Sequence, residues 1–125
     1  MEQHRVAIRY NRTYAEAHHG VGCAYYSVGN YSSAADAFKT ALGINAQYKE
    51  AYLGLANALA ELGNHEEAVA ELNTSLGLDP DFAAAHTAMA ASLMSLAKPD
   101  AALESINRSL RINPVGNSAI ALKIH

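Results

Sequence analysis

The sequence predicts an all-α solenoid of helix-turn-helix repeats, on three observations. The first is composition. Alanine makes up about a fifth of the 125 residues, beside no Trp, two Phe and three Pro. Such a chain favours packed helices over a β-sandwich or barrel, because the β-branched and aromatic residues that suit strands are scarce. The second is a recurrence every 34 residues. It aligns Ala17 with Ala51 and Ala85, Ala34 with Ala68 and Ala102, and Leu42 with Leu76 and Leu110. Conservative matches fill in around them: Gly22, Ala56, Ala90; Ile44, Leu78, Ile112; Asn45, Asp79, Asn113. The third is a helix-stopping signal at the same two places in every copy.

Three complete copies run over 15–48, 49–82 and 83–116. The first helix of the second copy carries Tyr52, Leu55, Ala56, Leu59 and Leu62, one stripe of a 3.6-residue period. The third copy repeats the stripe with His86, Met89, Ala90, Leu93 and Leu96, and the first with His18, Val21, Gly22, Tyr25 and Val28. The breaks that follow are Gly29-Asn30, Gly63-Asn64 and Ala97-Lys98-Pro99. Glycine accepts the left-handed backbone of a helix end, and Pro99 suits the first turn of the next helix.

The second helices carry Ala34, Phe38, Ala41 and Leu42; Ala68, Leu72, Ser75 and Leu76; Ala102, Ile106, Ser109 and Leu110. They end at Asn45-Ala46, Asp79-Pro80 and Asn113-Pro114, where a proline disfavours helix in the residue before it. Gly22, Ala56 and Ala90 on the first helices, with Ala34, Ala68, Ala102, Ala41, Ser75 and Ser109 on the second, are all Gly, Ala or Ser. Axes crossing at about 8 Å leave no room for more. Phe38, Leu72 and Ile106 are expected to fill the gap between layers. In the same register, 1–14 matches the second half of a preceding repeat, and 117–125 starts a further first helix with Ala119 aligned to Ala85. Open ends of this kind predict a segment of a longer array, or association of copies through the ends.

The runs EAHHGVGCAYYSVGNYSSAADAFKTALGIN and EAYLGLANALAELGNHEEAVAELNTSLGLDP resemble units of the tetratricopeptide repeat family. The resemblance covers nearly the whole chain. It departs from the family pattern at His18, Tyr52 and His86, where a Trp or another large residue is common, and at Ala46, which replaces a terminal Pro. It implies a right-handed superhelix whose first helices line a concave groove. The inward positions would be Glu16, His19, Cys23 and Tyr26; Glu50, Leu53, Asn57, Ala60 and Glu61; and Ala84, Thr87, Ala91 and Met94. Tyr26, Leu53 and Met94 give that surface apolar contact, and Asn57 can hydrogen-bond a peptide backbone. Members that grip chaperone tails use a clamp of Lys, Asn and Arg. The matching positions here, His19, Cys23, Gly54, Ala84 and Ala88, supply no cation for a carboxylate, so no chaperone carboxylate clamp is expected.

Other chemistries find little support. No P-loop, dinucleotide fingerprint, zinc motif or nucleophile elbow occurs, and no cofactor is implied. His18 and His86 lie two repeats apart and cannot share one metal ion, and His19 with Cys23 makes only two ligands. Cys23 has no fixed partner that would make it a nucleophile. Arg5, Arg9 and Arg12 form one face near the start, short of a basic patch. Residues 15–98 carry three Lys against nine Asp and Glu, a charge of -6, which points to a basic or apolar partner rather than nucleic acid. The weakly polar run from Phe82 to Ala97 is interrupted by His86, Thr87, Ser92 and Ser95 and is shorter than the roughly 18 residues of a membrane span. A single Cys and the lack of an opening secretory pattern fit a cytoplasmic setting. The expected function is a non-catalytic protein–protein interaction scaffold that binds a peptide or helix in its groove. The alternatives are a self-assembling structural segment, possible as a homo-oligomer, and a targeting domain of a larger enzyme.

Overall fold

The computed structural model describes residues 2–112, with side chains from Tyr14 onward. Six helices follow one another: α1 (Glu2–Ser27), α2 (Tyr31–Ile44), α3 (Lys49–Glu61), α4 (His65–Leu78), α5 (Ala83–Ser95) and α6 (Pro99–Ile112). No strand occurs among the described residues. Each helix packs against the next in the chain, and α3 also touches α1 and α5. This is an all-α helical-repeat fold: three antiparallel pairs stacked side by side.

The turns inside the pairs close in the same way. Asn30 N–H reaches the Tyr25 carbonyl and Gly29 N–H the Tyr26 carbonyl; Asn64 and Gly63, then Lys98 and Ala97, repeat the two bonds. This closure satisfies carbonyls that the helix end leaves free and needs one left-handed residue. Gly29 (φ +83°) and Gly63 (φ +87°) take that conformation without a Cβ clash, whereas the third turn forces it on Ala97 (φ +59°). Between pairs, Asn45 and Asp79 each accept a backbone N–H from two residues on, at 3.1 Å, which bends the chain into the next first helix.

Eight of the nine small positions are buried, and Ser109 is half-buried. Ala34, Ala68 and Ala102 are at most 1 % exposed, so equivalent residues meet equivalent surroundings. The two serines of this set do more than fit. Ser75 donates to the Lys49 carbonyl (3.0 Å) and Ser109 to the Ala83 carbonyl (3.2 Å), tying each second helix to the start of its partner. Tyr52 Oη donates to the Ala46 carbonyl (3.0 Å), and His86 Nε2 does the same to Pro80 (2.8 Å) from the equivalent place. In the second pair, Lys49 bonds Asp79 at 2.5 Å and lies 4.9 Å from the Phe82 ring centroid.

Two sequence expectations fail at the edges. Phe38 and Leu72 are each 1 % exposed, but Ile106 is 40 % exposed, because α3 and α5 cover the first two and no described helix follows α6. The stripe of α1 is also open: Val21 and Tyr25 are exposed where Leu55, Leu59, Met89 and Leu93 are buried. Helix α1 runs without a turn from Glu2 to Ser27. Side chains of Arg5, Arg9 and Arg12, and the whole of 117–125, lie outside the described residues.

Candidate functional site

The first helices α1, α3 and α5 place the expected groove residues in two clusters. The central cluster is a cleft of about 290 Å³ lined by Tyr26 of α1, Asn57, Ala60 and Glu61 of α3, and Ala91 of α5. Small side chains make it: Ala60, Ala88 and Ala91 leave the space that larger residues would close. Tyr26 stands half-buried at one wall, its ring edge-on to Tyr31 at 5.1 Å. Burial, then the Glu61 charge, pushes the Tyr26 phenol above its ordinary value, and the hydroxyl engages the Glu61 carboxylate.

The second cluster lies towards the start of the groove. His19 is half-buried, stacked on Tyr48 at 5.0 Å and tilted over Phe38 at 5.4 Å. Cys23 is exposed, its Sγ 4.0 Å from both ring nitrogens of His19. Glu16 and Glu50 are exposed, and both charges act on Tyr48. Burial first, and then these two charges, raise the Tyr48 phenol. The rim is negative at both clusters, from Glu16, Glu50 and Glu61.

Four expected residues sit elsewhere. Leu53 is half-buried and packs against the core, so it supports α3 rather than offering a free apolar contact. Thr87 turns towards α6, its Oγ1 2.8 Å from the Ser109 hydroxyl. Leu53 and Thr87 share one register position, 34 residues apart, and both side chains turn towards packed neighbours. Ala84 is exposed, and Met94 is 59 % exposed; neither lines the cleft.

The cleft also takes in His65, Ala88, Ser92 and Ser95, which the sequence reading did not select. Ser92 is only 3 % exposed, and its hydroxyl has no hydrogen-bond partner among the described residues. His65 stands at the first position of α4, and its Nδ1 is buried without a partner. A signal for Ser92 was present: it holds the place of Ala24 and Ala58, where the pattern asks for a small apolar residue. A second, larger cleft of about 590 Å³ lies between α4 and α6, with His86, Arg108 and Arg111 in its wall. There Arg108 pairs with Glu104 at 2.6 Å, and the His86 Nε2–H is spent on Pro80. No helix of the described residues is long and apolar enough to cross a membrane.

Comparison with solved structures agrees with this architecture. The first repeat domain of Spaghetti (RPAP3), bound to the HSP90 peptide SRMEEVD, is 20 % identical with a TM-score of 0.80, over 82 % of this chain and 81 % of that one. The Arabidopsis OM64 domain is 20 % identical with a TM-score of 0.82, over 83 % and 86 %. MamA is 22 % identical with a TM-score of 0.76, over 86 % of this chain and 63 % of its own. No curated protein matches by sequence. A tetratricopeptide repeat profile matches residues 25–91, more than half of the sequence. With the 34-residue period and three stacked helix pairs already in place, the chain belongs to the tetratricopeptide repeat family.

Proposed function

We propose that this chain is a non-catalytic interaction module that holds a peptide or helical segment of a partner protein along α1, α3 and α5. One observation carries the reading: Tyr26, Asn57, Ala60, Glu61 and Ala91, from three successive first helices, converge on a single cleft. A concavity walled by small residues with a few polar groups is the surface that accepts side chains of an extended partner. Similar domains of Spaghetti (RPAP3) hold an HSP90 peptide, which supports a peptide ligand in general. Charge argues for a different peptide here. His19, Cys23, Gly54, Ala84 and Ala88 stand where a carboxylate clamp would need cations, and the exposed Glu16, Glu50 and Glu61 repel an acidic tail. The partner segment is therefore neutral to basic. The single exposed thiol, Cys23, fits a reducing, cytoplasmic setting.

The test is selection of binders from a displayed random-peptide library, followed by titration against wild type and Ala91→Arg. Ala91 is exposed, so the variant keeps the fold while filling the cleft. Selected peptides should lose at least about tenfold in affinity to it, the effect of blocking a central contact. Failure to select any peptide, or equal binding by the variant, refutes the groove.

A second reading has its own support. Leu103 and Ile106 on α6 are 58 % and 40 % exposed, an apolar edge that suits contact between copies. Light scattering that shows a concentration-dependent mass, abolished by Ile106→Asp, would favour assembly. A strict monomer at high concentration removes it.

A further inference from the structure

The central cleft holds one acceptor-only group, the Glu61 carboxylate, beside side chains that can accept as well as donate. Three helices, α3, α4 and α5, deliver these groups to it. The Glu61 carboxylate of α3 is exposed at the rim and meets one phenol, that of Tyr26. Asn57, also on α3, brings a half-buried side-chain carbonyl that bonds to no described group. His65 of α4 presents a buried, partnerless Nδ1, an acceptor when the ring proton is on Nε2. Ser92 of α5, a residue 3 % exposed, adds a hydroxyl that bonds to no described group. Buried polar atoms that go unpaired are costly, and their presence in a cleft marks where a ligand or solvent must complete them.

We infer that this cleft is a lysine subsite: it takes the primary ammonium of a partner's lysine side chain, with Glu61 as counter-charge and Asn57, His65 and Ser92 as acceptors. The inference rests on the groove reading above and narrows it to one side chain. Shape decides between the two common basic groups. A guanidinium is a planar fork that wants a flat, paired acceptor, whereas an ammonium points three N–H bonds to separate corners. Acceptors arriving from three different helices match the second pattern. The walls of Ala60, Ala88 and Ala91 suit the four-carbon stem, which is apolar up to its charged end. A charge entering a half-enclosed site needs an opposite charge close by, and Glu61 is the carboxylate in the lining.

The probe is Nα-acetyl-lysine-methylamide, titrated into isotope-labelled full chain and followed by amide shifts, with the norleucine and arginine analogues alongside. The lysine probe should shift Asn57 and Ser92 saturably. It should bind about tenfold more tightly than norleucine, the contribution of one charge-assisted contact. Glu61→Gln, an exposed and isosteric change, should abolish that preference while leaving circular dichroism unaltered. Equal shifts from norleucine, a preference for arginine, or a preference that survives Glu61→Gln each overturn the inference. The peptides selected above separate the two levels. If they bind the groove but tolerate acetylation of every lysine, the lysine subsite falls and the groove stands. If no peptide is selected, both fall.

Discussion

Replacing Gly54 by alanine should destabilise the fold, although alanine is the better helix former. Phe38 lies between α1 and α3, 1 % exposed, with a glycine against the ring from each side. A Cβ on Gly54 would sit 2.5 Å from the ring Cζ and 2.6 Å from Cε1. Retreat is blocked, because a Cβ position on Gly22 is already 2.7 Å from the same ring. Alanine gains about 1 kcal/mol in helix propensity. Overpacking a core costs about 1–3 kcal/mol, and a ring pinned on both sides belongs at the upper end. The net loss is about 2 kcal/mol, which lowers the melting temperature of a domain this size by roughly 10 °C. Urea and thermal unfolding, followed by far-UV circular dichroism, measure it.

Two companion variants make that result diagnostic. Gly20 is also helical, but a Cβ there meets nothing within 4 Å, so Gly20→Ala should stabilise by about 0.5–1 kcal/mol. The second copy shows the compensated arrangement: Leu72 stands in the place of Phe38, with Ala56 and Ala88 in the places of Gly22 and Gly54. Phe38→Leu combined with Gly54→Ala should therefore lose less than the two single changes added, with a coupling of about 1 kcal/mol or more. A Gly54→Ala protein as stable as wild type, or strictly additive singles, would refute the reasoning.

Three further predictions concern the turns and the ties between helices. Ala97→Gly should raise the urea midpoint, by about 1 kcal/mol of stability, because it relieves a left-handed alanine where the other two turns use glycine. Ser75→Ala should cost about 1 kcal/mol in the same assay, since the small side chain fits, as Ala41 does, but the bond to the Lys49 carbonyl is lost. Lys49, and then the Asp81 N–H, hold the Asp79 carboxyl below its ordinary value. Its contribution is complete above the unfolded value of about 4 and disappears as pH falls through the lower folded value. Stability measured against pH should thus decline more gently on the acid side in Asp79→Asn than in wild type.

Much of the fold was legible because its determinants are short-range. The left-handed residue at Gly29 and Gly63 and the equivalent burial of Ala34, Ala68 and Ala102 each follow from a few neighbouring residues. Gly54 shows where that reasoning ends. Nothing within α3 explains a mid-helix glycine; its reason is a ring carried by α2. The candidate groove was legible in part for the same cause. Helical positions on the first helices grouped Tyr26, Asn57, Ala60, Glu61 and Ala91, which line one cleft, together with Leu53 and Thr87, whose side chains turn to the core and to α6. His65 escaped notice because it stands on a second helix, and Ser92 because a serine on an alanine position reads as ordinary small-residue packing.

The sequence by itself determined the number of helices in each copy, where they turn, and which positions must stay small. Those properties depend on contacts within about one repeat, so the recurrence displays them three times. The tertiary structure alone decided which inward residues share a cleft, which apolar faces of the described helices stay open at α1 and α6, and that His65 Nδ1 is buried without a partner among the described residues. The physical reason is that these depend on how successive pairs are set against each other. That placement is fixed by side-chain volumes meeting across repeats, as Phe38 meets Gly22 and Gly54, and no single helix encodes it.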